Sequence, residues 1–201
     1  INPSRIDGEN RYATSAKIAK KASEFIDIEE IYLVNGDEEK KVDAISASGP
    51  AKYKNSPVLL TSKDALPESV EKTIEDLKIK KITIVGGNNS ISKDLENDLI
   101  NKGYEVDRKE GSNRYHTSVL INMDLYENPQ TIFLANGNSS VDALTAGPVA
   151  GAYKYPVLIV SKDSIPNVSR DYIDSMKLEN IIILGGTNSI SKDVEYRMLF
   201  N

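Results

Sequence analysis

The apolar residues of this chain fall into short runs separated by longer stretches of mixed polarity. Runs at 31–34, 58–60 and 82–85 are rich in Ile, Leu and Val and are bounded by Gly, Asn or Pro. Continuous apolar runs of this length fit strands buried on both faces, as parallel sheets require. Between them the period changes. Residues 11–25 place Ala16, Ala19 and Ala22, with Ile26 just beyond, near helical spacing, and residues 43–53, 68–77 and 93–101 also read as helices. Strands alternating with helices imply right-handed crossovers and a doubly wound sheet. The same order returns in the second half, with strands at 132–135, 157–160 and 181–184. The pattern predicts an α/β chain: two tandem copies of a small, doubly wound, mostly parallel sheet module with flanking helices.

The duplication is visible residue by residue. Arg5 to Tyr12 reads RIDGENRY and Arg108 to Tyr115 reads RKEGSNRY, each followed one residue on by a Thr-Ser pair. IYLVNG, ending at Gly36, returns as IFLANG, ending at Gly137; Asp43-Ala44 returns as Asp142-Ala143, and Gly49-Pro50 as Gly147-Pro148. PVLLTSKD from Pro57 returns as PVLIVSKD from Pro156, and ITIVGGNNSISKD from Ile82 as IIILGGTNSISKD from Ile181. The spacing stays at about 100 residues, the size of a small domain and too long for a solenoid unit. The expected division is a first copy over 1–103 and a second over 104–201, the last element reading as truncated. Residues 104–107 read as a short linking strand, with the stretch before Arg5 as its counterpart.

Composition narrows the partners. Of 201 residues, 39% are hydrophobic and 27% charged, which is enough apolar material for a core. The formal net charge of −5 gives no global basic field for nucleic acid or an anionic membrane. An anionic partner must then be met by local cations and backbone amides. No apolar run has the length of a membrane span. The chain opens on Ile1 without a basic-then-apolar signal segment, which reads as a processed or excised piece. Cysteine is absent, so disulfides, thiolate metal sites and thiol catalysis are excluded.

The candidate chemistry lies in the repeated turns. Gly86-Gly87-Asn88-Asn89-Ser90 and Gly185-Gly186-Thr187-Asn188-Ser189 follow a strand and open a helix. Glycine admits close approach to the backbone, and a helix N-terminus offers free N–H groups to an anion. The plainer reading is a tight turn with Ser92 and Ser191 as helix caps. In the NRY turns, Arg11 and Arg114 have the forked guanidinium that grips phosphate or carboxylate. Asn10 and Asn113 offer hydrogen bonds, and Tyr12 and Tyr115 a ring face or hydroxyl for a sugar. The alternative is structural: Asn as cap, and Arg in a buried pair with Asp43 or Asp142. Those two acids otherwise read as caps or dipole compensation. Asn35-Gly36 and Asn136-Gly137 read as turns at strand ends, and Pro57 and Pro156 as strand starts where a missing N–H is tolerated. His116 is the only histidine, with Ala13 in its place in the first copy, and reads as a solvated helix residue rather than a zinc ligand or base. Lys40-Lys41 and Lys80-Lys81 read as solvated charge.

The ordered series RIDGENRYATS, NG, DA, GP, PVLLT and GGNNSIS, present twice, closely resembles the cell wall binding repeat 2 family, over nearly the whole chain. The resemblance implies a secreted surface protein of a Gram-positive bacterium, held non-covalently to the cell wall through an anionic secondary wall polysaccharide or teichoic-type polymer. It also implies a non-catalytic role, no cofactor or metal, and packing with a further repeat, since family members usually carry three in a pseudo-threefold arrangement beside an effector domain. The polymer is then expected at Asn10, Arg11, Tyr12, Asn113, Arg114, Tyr115 and the two GG turns. Two other functions stay open at this level. One is an α/β domain binding a nucleotide or phosphorylated sugar at the GG turns, with Asp43 and Asp142 holding Mg²⁺. The other is a structural oligomerisation module.

Overall fold

The computed structural model describes residues 2–37, 41–138 and 140–199. The first copy runs α1 (Arg11–Ala22), β1 (Glu30–Asn35), α2 (Lys41–Tyr53), β2 (Val58–Thr61), α3 (Glu68–Asp76), β3 (Lys81–Val85), α4 (Lys93–Asn101) and β4 (Glu105–Lys109). The second runs α5 (Arg114–Met123), β5 (Thr131–Asn136), α6 (Ser140–Tyr153), β6 (Val157–Val160), α7 (Asn167–Asp174), β7 (Asn180–Ile183) and α8 (Lys192–Leu199). All pairings are parallel, in the orders β2-β1-β3-β4 and β6-β5-β7. The expected α/β class, with two tandem parallel modules, is what forms. Two details differ. The helix expected over 11–25 stops at Ala22. The linking strand runs two residues further, to Lys109, and pairs with β3 of the first sheet. Lys40 and the side chain of Lys41 lie outside the described residues. Among the described residues no helix is long and apolar enough to cross a membrane.

The period-two geometry of a strand sends alternate residues of β1 to opposite faces. Ile31 and Leu33 join Leu59, Ile82 and Ile84 under α1, α3 and α4. Tyr32 and Val34 join Val85 under Ala47 and Ala51 of α2, and there they also meet Ile121 of the second copy. Conversely, Ile45 of α2 packs with Phe133, Ala135, Val157 and Ile159 of the second copy. One face of each sheet is thus covered by its own helices, and the other is sealed partly by the neighbouring copy. Each copy lends a buried side chain, Ile45 or Ile121, to the other's second cluster.

Helices α2 and α6 make that seam. A Cβ added to Gly147 would fall 2.6 Å from Ser48 Cβ, and one added to Gly151 would strike the Gly49 carbonyl and come 2.6 Å from Lys52 Cβ. Small residues let the two backbones approach. The Gly-Pro pairs noted in the sequence therefore belong to the contact between copies. α6 also leaves Leu144, Val149 and Tyr153 exposed, the last at 68%.

Candidate functional site

The RxxGxNRYxTS motif builds the start of the first helix in each copy. Asn10 Oδ1 accepts the Ala13 N–H at 2.9 Å, and Asn113 Oδ1 accepts those of Tyr115 at 3.0 Å and His116 at 3.1 Å. These are N-caps, satisfying donors that the helix cannot pair internally. The Gly8 N–H donates to Thr14 Oγ1 at 3.0 Å, and the Gly111 N–H to Thr117 Oγ1 at 3.0 Å. A Cβ on Gly8 would stand 2.5 Å from the Ala13 carbonyl carbon, so only glycine allows this closure. The serine that follows reaches the edge strand: Ser15 Oγ accepts the Leu60 N–H at 3.2 Å, and Ser118 Oγ that of Ile159 at 3.0 Å. His116 is half-buried, with Nδ1 accepting the Ser112 N–H at 3.2 Å, so it closes the same turn.

Arg and Tyr of the motif turn towards the NG loop at the end of the central strand. Arg11 donates to the Gly36 carbonyl, and Arg114 to the Gly137 carbonyl at 3.1 Å and Asn138 Oδ1 at 2.9 Å. The Tyr12 ring lies against Gly36, where an added Cβ would come within 2.7 Å of Cε1. Tyr115 and Arg114 flank Gly137 at 3.4 and 3.3 Å in the same sense. Tyr12 also reaches Asp37 Oδ1 at 3.5 Å; burial first, and the nearby Asp37 carboxylate second, hold its phenol above the ordinary value. Both arginines stay exposed. In the second copy Arg114 spends its donor on the loop, and Asp142 takes the Ser189 hydroxyl at 3.2 Å.

Asn35 and Asn136 join the NG loop to the GG turn. Asn35, 2% exposed, donates to the Ser90 carbonyl at 2.6 Å and accepts the Asp37 N–H at 2.7 Å. Asn136 repeats this with Ser189 and Asn138. Gly86 and Gly185 have φ of 111° and 92°, and a Cβ on either would come 2.5 Å from Oδ2 of Asp43 or Asp142. Each acid faces the turn of its own copy. Among the described residues no group of three His, Asp or Glu is placed to hold a metal. Replacing Asn35 with alanine strips two hydrogen bonds at once, the one to Ser90 fully buried. The expected loss is about 1–2 kcal/mol, read as a lower urea midpoint with an unchanged slope.

The NRY, NG, DA and GG motifs therefore converge at the carboxyl ends of the strands, in the crevice between β1 and β3 and between β5 and β7. That is where the strand order reverses, and where open parallel sheets bind ligands. Ser92 caps α4 through the Leu95 N–H at 3.3 Å as expected, whereas Ser191 Oγ is buried without a hydrogen-bond partner.

The sequence reading missed Arg108, Glu110 and Glu96. Arg108 Nε donates to Glu96 Oε2 at 2.6 Å, and its NH1 to the Gly86 carbonyl at 2.8 Å; both side chains are under a tenth exposed. Burial alone raises the Glu96 pKa, but hydrogen bonds from Lys93 and Arg108 outweigh it and hold the carboxyl below its ordinary range. Glu110 Oε1 accepts the Asn88 N–H at 3.3 Å and lies over Gly87. The first GG turn thus does receive an anion, and that anion is the chain's own carboxylate. The signal was present in the repeated Arg-x-acid-Gly spacing of Arg5–Asp7–Gly8 and Arg108–Glu110–Gly111.

Comparisons with known proteins follow this geometry. Residues 5–96 and 108–195 match the model of the cell wall binding domain 2 (CWB2) family. The amidase enhancer of Bacillus subtilis (strain 168) is 36% identical over 191 residues, spanning 95% of this chain and 25% of that protein. The N-acetylmuramoyl-L-alanine amidase LytC of the same strain is 31% identical over 190 residues, spanning 94% of this chain and 37% of that one. Among solved structures, Cwp6 from Clostridium difficile superposes with a TM-score of 0.87 at 28% identity, over 96% of this chain and 31% of its own. Cwp8 from Clostridium difficile gives 0.82 at 32% identity, over 96% and 33%. The chain spans well under half the length of the relatives it matches.

Proposed function

The chain belongs to the cell wall binding domain 2 family, and we propose that it serves its wall-binding role by gripping an anionic secondary wall polysaccharide or teichoic-type polymer at the carboxyl ends of its two sheets. In this reading the module does no chemistry of its own and tethers whatever domain accompanies it to the surface of a Gram-positive cell. The observation that carries it is the pairing of an exposed arginine with a tyrosine ring at the same corner of each copy, Arg11 with Tyr12 and Arg114 with Tyr115. Each arginine donates to its loop carbonyl through NH1, and a guanidinium has five donors in a fork that suits a phosphate or carboxylate. The tyrosine supplies a flat face for a sugar ring. Two such corners on one chain bind one polymer with a gain in effective concentration. A further repeat belongs to the same proposal, because the exposed apolar side chains of α6 favour a protein partner over water.

Co-sedimentation with Gram-positive cell walls, before and after acid extraction of their anionic polymers, tests it. The expected result is binding that weakens with added salt, vanishes on extraction, and falls about tenfold or more when Arg11 and Arg114 are both alanine and the circular dichroism is unchanged. Undiminished binding by that variant would sink the arginine-centred site, and undiminished binding to extracted walls would sink the anionic polymer.

A further inference from the structure

The two sheets differ at one edge. In the first, β4 lies on β3 in parallel register, with Ile84 opposite Arg108 and Val85 opposite Lys109, and the Gly86 N–H donates to the Lys109 carbonyl at 3.0 Å. In the second, among the described residues, β7 pairs only with β5, and its other edge carries no strand. The consequence shows in burial: β3 is buried from Ile82 to Val85, whereas Ile182 on β7 is 41% exposed. Alongside β7 runs a groove of about 590 Å³ lined by Ile181, Ile183, Gly185, Gly186, Thr187 and Glu195.

Glu195 occupies the position of Glu96. In the first copy that carboxylate is covered by β4 and held by Arg108. In the second it is exposed and has no ion-pair partner among the described residues. Gly186 and Thr187 likewise stand where Gly87 and Asn88 receive Glu110, and nothing lies within 4 Å of a Cβ added to Gly186. The other half of the same arrangement is unused at the opposite end of the chain. Arg5 and Asp7, the counterparts of Arg108 and Glu110, sit on an exposed segment that pairs with no strand.

We infer that the β7 edge is a docking site for a parallel strand carrying Arg-x-acid-Gly, the strand that opens a further repeat of this family, with its arginine opposite Ile183 and bonded to Glu195. Its acid then accepts from the Thr187 N–H, as Glu110 does from Asn88. Three observations on different elements fit this occupant: an unpaired strand edge, an unpartnered acid where the first copy has a paired one, and an empty glycine turn where the first copy holds a carboxylate. Main-chain pairing provides the attachment, and the charge positions provide the register. Each Arg-x-acid-Gly segment thereby belongs structurally to the repeat before it, and the arginine marks a joint between repeats. The inference does not depend on which polymer the wall supplies, or on wall binding at all.

The test extends the 201-residue chain after Asn201 with the residues that follow Lys102 in the first copy, Gly103 to Asn113. A Gly/Ser extension of equal length is the control. Thermal unfolding should show the native extension raising Tm by about 3 °C or more over the control. That gain should disappear when the added arginine is alanine, and equally with Glu195→Ala, a change that leaves the unextended chain's Tm unmoved because Glu195 is exposed. A native extension no more stabilising than Gly/Ser would overturn the inference. So would a gain indifferent to both the arginine and Glu195.

Discussion

Replacing Arg108 with alanine is expected to lower the stability of the chain by about 3 kcal/mol, the lower end of the range for removing one partner of a buried ion pair. The lower end applies because Lys93 still reaches Glu96 at 2.7 Å after Arg108 is gone. The loss has three parts: Glu96 keeps a desolvated charge with a weaker partner, the Gly86 carbonyl loses its donor, and the edge strand loses the side chain that clamps it. The effect must also depend on pH. The folded-state pKa of Glu96 lies below its unfolded value, so its stabilisation is fully present above the unfolded value and is lost as pH falls through the folded one. Urea unfolding at neutral pH and at successively lower pH should therefore show the gap between wild type and Arg108→Ala closing in the acid range, as Glu96 protonates in both. A gap that held constant down to pH 2 would mean that the side chain acts by packing alone.

The second large effect is expected at the seam between copies. In Gly151→Val the new side chain meets the Gly49 carbonyl and Lys52 Cβ, atoms of a backbone that has nowhere to retreat. Overpacking of this kind costs about 1–3 kcal/mol, and here it should reach the upper end, because separating α2 from α6 also uncovers Ile45, Tyr32 and Val34. Wild type should unfold in one transition and the variant in two, since each copy retains the core under its own helices, around Leu33 in the first and Leu134 in the second. Calorimetry decides this. A single, merely shifted transition would show that the copies remain one cooperative unit without the close helix crossing.

The proposed polymer site and the inferred strand joint lie on different faces of the same motif. Arg11 and Arg114 point to the NG loops, while Arg108 turns back to the preceding copy. RxxGxNRY thus carries two arginines with separate duties. Substitutions at one leave the other measurable.

Much of this could be read before any coordinates. The alternation of short aliphatic runs with amphipathic stretches specified parallel strands and their helices, because a strand buried on both faces admits little but Ile, Leu and Val. The Asn caps followed from the demand of a helix start for acceptors, and the duplication followed from comparison of residues alone. What the sequence left undecided was which atoms meet across long separations. Arg114 was weighed against Asp142 because both repeat, and its guanidinium reaches the Gly137 carbonyl, a backbone group that no residue type advertises. Gly49-Pro50 fell inside the stretch read as a helix, and it does lie in one, but at the contact between copies, where its role depends on how closely another helix passes. The strand at 105–109 borders the second motif in sequence, but hydrogen bonds place it in the first sheet. The chain's pattern fixes period and polarity, which are local. Partners are set by the packing of distant segments, and only the folded structure decides that Glu96 is paired with Arg108 while Glu195 is exposed.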